Sequence, residues 1–104
     1  MRMGIVRGHV VLNVCVPSLV GTRLLVVEPL TAGNLGRDGN EGGGKALIVA
    51  DHLGPAEGQR VAFVEGREAA NPYWPEAAPV DAYCSMILDN IDYRPPQAAA
   101  ETKA

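Results

Sequence analysis

Aromatic side chains are scarce in this chain of 104 residues, which has one Trp, three Tyr and one Phe. An apolar core must therefore come from Val, Leu, Ile and Ala, a branched and aliphatic set that favours strands. Positive charge is also short: nine Lys and Arg against twelve Asp and Glu leave a net charge of −3. That balance lacks the basic excess that grips a phosphate backbone, so no nucleic-acid partner is expected. Cysteine is limited to Cys15 and Cys84, far from the spacing of a metal knuckle or redox pair. Both are expected as free thiols. No apolar run reaches the roughly 18 residues needed to cross a bilayer. Met1-Arg2-Met3-Gly4 leads directly into a strand-like pattern without a signal-type segment, so the expected setting is cytoplasmic with no membrane partner. The length suits one domain.

What is present is a series of short apolar runs separated by turn residues. Over 6–16, Val6, Gly8, Val10, Leu12, Val14 and Val16 alternate with a set that includes Arg7, His9, Asn13 and Cys15, the period of a strand. Pro17-Ser18 and Gly21 punctuate the connection to a second strand over 22–28, which Pro29 ends. This second run is apolar on both faces. Leu24 and Val26 are assigned to the core, and Leu25 and Val27, with Arg23, to the surface against a partner subunit. Residues 32–44 hold six glycines among Asn, Asp and Glu, the composition of a long hairpin connection. They are not a phosphate loop, since Gly44-Lys45 is followed by Ala46 and then by a strand. Further strands are expected over 46–50, 60–65 and 83–91, with a turn at 54–58 and one helical turn around 68–70. Pro95-Pro96 closes the last strand. The fold expected is all-β: a small, closed or nearly closed five-stranded β-barrel over 1–95 with a short helical turn in the crossover before the last strand, and a frayed tail over 96–104.

Four ordered segments carry a resemblance to a known family. They are Met3 to Val11 (Met-Gly-Ile-Val-Arg-Gly-His-Val-Val), Pro17 to Leu30 with its strand ending in Glu-Pro-Leu, Ala50 to Val61 with its Asp and Gly-rich turn, and Pro79-Val-Asp-Ala with the later Ile87-Leu-Asp-Asn-Ile-Asp. Together they resemble the EutN/CcmL family of pentameric vertex proteins from carboxysomes and other bacterial microcompartments. The resemblance implies that the barrel is OB-like and assembles into a homopentamer that plugs a shell corner between hexameric shell proteins. It implies no cofactor, no metal and no catalysis, and it places the turn Gly54, Pro55, Ala56, Glu57 and Gly58 near the ring axis. Pro55 departs from the small residue usual there.

Other chemistry was weighed on its residues. His9 and His52 have no cluster of Cys, His or carboxylate at metal spacing, so they are assigned to the surface or an interface. Asp81, Asp89 and Asp92 lack a nucleophile or substrate clamp beside them, and Asp81 is assigned to a turn cap. Tyr73 and Trp74 could stack a base or sugar in a binding module of the same barrel type, the alternative to a shell role. They sit between prolines without interleaved basic residues, and packing at the barrel end or against a neighbour is the expectation.

Overall fold

The computed structural model describes residues 1–31 and 45–93. The glycine-rich connection 32–44 and the tail 96–104 lie outside the described residues. Five strands run β1 (Arg2–Val10), β2 (Arg23–Pro29), β3 (Leu47–Asp51), β4 (Arg60–Glu65) and β5 (Ala82–Leu88), with 3-10 segments at Pro17–Leu19 and Arg67–Tyr73. They close into a barrel in the order β1-β2-β3-β5-β4. Every seam is antiparallel except β3 to β5, which is parallel and rests on the single pair Ala50 and Tyr83. A parallel seam needs a crossover, and β4 with the 3-10 segment Arg67–Tyr73 supplies it.

The expected five-stranded barrel is thus what the chain forms, and the differences lie at the ends and faces of its strands. β1 runs from Arg2 to Val10 rather than over 6–16. The apolar alternation continues beyond Val10, but β2 begins at Arg23 and its last partner on β1 is Val10, opposite Leu24. With no strand left to pair with, Val11 stands 92 % exposed and Val14 and Val16 are exposed as well. β5 likewise ends at Leu88, where β4 supplies its last partner, Arg60. The helical turn expected around 68–70 is a longer 3-10 segment.

The faces of β2 are exchanged relative to the sequence assignment. Leu25 and Val27 are fully buried and join Val6, Val49, Val61, Phe63, Ala82 and Cys84 in the barrel core, so neither can contact a neighbour. Leu24 and Val26 are half-buried on the outside. The reason is register: β1 pairs Val6 with Val27, and directly opposed residues share a face, so once Val6 points inward Val27 must follow. With four apolar residues in a row, nothing on β2 itself sets that parity. β1 is irregular too, with a bulge between Val6 and Gly8 and both Ile5 and Val6 buried. Gly4 marks the closest backbone approach, because a Cβ there would lie 2.9 Å from the Glu28 carbonyl oxygen and against Val27.

A candidate assembly surface and the clasp beside it

The outer face of β1, β2 and β3 carries an apolar patch, bounded on β2 by Glu28, which pairs with Arg7 of β1 at 3.0 Å. Register sets Val26 beside Gly8 on one side and Ile48 on the other, with Leu24 opposite Val10. Ile48 and Val10 are exposed, and Leu24 and Val26 half-buried. Gly8 leaves Val26 uncovered from above, since even a Cβ at Gly8 would only just reach it, at 4.0 Å. Arg23 opens β2 with the parity of Leu25 and Val27 and is exposed at the start of the strand. A groove of about 430 Å³ continues the face, walled by Val10, Leu12, Leu19, Val20 and Leu24 with Thr22 and Arg23 among its polar lining.

Beside the groove, four side chains from four parts of the chain hydrogen-bond in a row. Thr22 Oγ1 lies 2.9 Å from Tyr73 Oη and 3.1 Å from His52 Nε2, and His52 Nδ1 lies 2.7 Å from Tyr83 Oη. The rings of His52, Tyr73 and Tyr83 also pack on one another with centroids 5.5 to 5.9 Å apart, which leaves no space among them for a ligand. This clasp spans the ends of β2, β3 and β5 and the 3-10 segment. It therefore crosses the parallel seam, where the backbone contributes least. Burial first, then the neighbouring Tyr73, Asp51 and Cys84, push the Tyr83 phenol above its ordinary range.

Asp51 ends β3 and is fully buried. Its carboxylate accepts the N–H of Leu53 at 3.0 Å and of Gly54 at 2.7 Å, folding the chain into the turn that follows. Burial, followed by the Asp51 charge, pushes the Cys84 thiol up to about 12. Both cysteines are free, Cys84 buried and Cys15 half-buried.

The turn residues Gly54, Pro55, Ala56, Glu57 and Gly58 link β3 to β4. Pro55 is buried and anchors the turn, while its four companions are exposed. Gly54 and Gly58 take φ of 79° and 87°, the left-handed region that glycine enters without penalty. The Gly58 N–H donates to the Val6 carbonyl at 2.7 Å, pinning the turn to β1.

Of the other candidates, His9 lines the groove and lies 3.9 Å from Glu57. Asp81 contributes its backbone carbonyl to the Gly66 N–H; the carboxylate that caps a turn is Asp51, at Leu53 and Gly54 after β3. No group of His, Cys, Asp and Glu among the described residues could hold a metal ion. Trp74 is exposed, whereas its neighbour Tyr73 belongs to the clasp. No local sequence pattern marks the clasp, whose four residues lie far apart along the chain; Asp51 followed by Gly54 marks only the turn after β3, the pattern of a side chain capping its own turn.

Comparison with known proteins bears on this surface. The family model described as "Ethanolamine utilisation protein EutN/carboxysome" matches residues 1–89. The chain is 31% identical over 91 residues to the bacterial microcompartment shell vertex protein EutN of Salmonella typhimurium, covering 88% of this chain and 86% of that protein. It superposes with a TM-score of 0.72 on the GrpN pentameric microcompartment shell protein from Rhodospirillum rubrum, at 30% identity over 90% of this chain and 99% of the other. CcmL of Nostoc gives the same TM-score of 0.72 at 29% identity, covering 88% of this chain and 92% of that one.

Proposed function

The chain belongs to the EutN/carboxysome family, and from that premise we infer that it is a structural protein at the vertices of a bacterial microcompartment shell. The observation that carries this is the family match, which runs through all five strands of the barrel. A closed shell of hexagonal tiles needs fivefold units at its corners, and a cyclic ring is built by head-to-tail contact between two different surfaces of each subunit. Five copies of this chain form such a ring, seated between hexameric shell proteins.

The contacts within the ring run through Leu24 and Val26 on the outer face of β2, with Arg23 exposed at the start of the strand, and not through Leu25 and Val27, which point into the core. Support comes from the apolar patch of Val10, Leu24, Val26 and Ile48 on the outer face of β1 to β3, which a lone barrel would leave in water. The turn formed by Gly54, Pro55, Ala56, Glu57 and Gly58 faces the ring axis, a placement supported by its exposed small residues on a buried proline anchor. Function on this account is geometric and calls for no cofactor. Deleting the gene in the native host tests it: shells imaged by electron microscopy should lose closed corners and regain them when the chain is restored. Closed, regular shells in the deletion strain would contradict it.

A further inference from the structure

The described surface carries an apolar projection as well as an apolar groove. Trp74 is the chain's single tryptophan, is 83 % exposed, and is not among the walls of the groove. It is held out on ordered backbone. Its own N–H donates to the Asn71 carbonyl at 3.0 Å, the Glu76 N–H donates to the Tyr73 carbonyl at 2.8 Å, and Tyr73 is tied to Thr22 through the clasp. An exposed indole carried on hydrogen-bonded backbone buries a large apolar area for the rotamer freedom of one side chain, which suits it as an anchor.

The groove has the complementary character. Its volume of about 430 Å³ lies within the ~300–1,000 Å³ of sites that enclose organic groups of this size. Arg23 lines it and makes no ion pair among the described residues. Glu76 stands two residues from the indole, exposed and equally without an ion pair among the described residues. A projection with an anion beside it and a groove with a cation in it are two different, matching surfaces on one subunit, which is what a head-to-tail ring demands. Thr22 lines the groove and also bonds the residue next to Trp74, so the two features lie near each other. In a ring the two contact planes of each subunit converge toward the axis, and neighbouring features can serve opposite contacts.

We propose that Trp74 of one subunit seats in the groove walled by Val10, Leu12, Leu19, Val20 and Leu24 of the next, where Arg23 meets the indole face and Glu76. This rests on the vertex-ring reading and names the contact that closes it. Tryptophan and arginine are the residues most often found to dominate such contacts.

The single tryptophan makes the test direct. Native mass spectrometry establishes the number of chains, and tryptophan emission with acrylamide quenching is measured on the same sample. Five-chain rings with blue-shifted, protected emission are expected. Trp74→Ala should raise the concentration at which rings half-dissociate by at least ~10-fold while leaving the circular dichroism unchanged. Arg23→Glu and Glu76→Arg should each weaken the ring, and the double variant should recover most of the loss. Five-chain rings whose indole stays as red and quenchable as free tryptophan would overturn the contact and leave the vertex ring standing. The same holds if protection appears only when hexagonal shell protein is added. A chain that stays monomeric would overturn both.

Discussion

At the scale of single residues, the barrel depends on a few positions that tolerate one kind of atom. Gly4 is one, because a methyl group there would press on the Glu28 carbonyl and on Val27. Gly4→Ala should cost about 1–3 kcal/mol as an overpacked core position, read as a lowered midpoint in urea. Cys84 is another. Its thiol is pushed up to about 12 from an ordinary 9.0, so the folded state keeps a proton that the unfolded state releases. Stability from this group is complete below pH ~9 and declines as pH rises toward 12. Denaturation midpoints measured across that window should fall more steeply for the native protein than for Cys84→Ala. An equal slope would show that Cys84 titrates alike in both states. Cys84, buried, should react with a maleimide only on unfolding, whereas Cys15, which lines the groove, should react in dissociated folded subunits.

At the scale of elements, β2 shows what periodicity can and cannot reveal. Its position, the turn before it and its end at a proline were all legible, because Gly21 and Pro29 break the pattern whatever the fold. Its inward face was not, since Leu24 to Val27 are apolar on both sides and the parity is set by Val6 on another strand. The end of β1 was missed for a related reason: apolar alternation over 11–16 looks the same whether or not a partner strand is there to receive it. The clasp lay beyond reach because Thr22, His52, Tyr73 and Tyr83 are brought together only by the closed barrel. Two outcomes follow for β2. Val27→Glu would bury an unpaired carboxylate in the core at a cost of several kcal/mol, and circular dichroism should show loss of the fold. Val26→Glu places the same charge on the outer face, so the barrel should survive and sizing chromatography should show dissociated subunits. For the clasp, Tyr73→Phe removes one hydrogen bond, worth ~0.5–1.5 kcal/mol. Faster hydrogen exchange confined to residues 67–74 would locate that effect.

At the scale of the whole molecule, scarcity of aromatics and of positive charge already favoured a strand-rich, non-nucleic-acid-binding protein. The order of four segments then pointed to the family that the comparisons establish. With a net charge of −3, affinity for single-stranded DNA should be negligible at physiological salt, and tight, salt-sensitive retention in a filter assay would favour the binding-module alternative. The central claim is assembly: the barrel core is complete in one chain, and the outer face of β1 to β3 with Val10, Leu24, Val26 and Ile48 is the surface proposed for contact with further copies. Native mass spectrometry at micromolar concentration tests this most directly. A dominant species of five chains is the predicted result, and a monomer or a closed ring of any other number would contradict it.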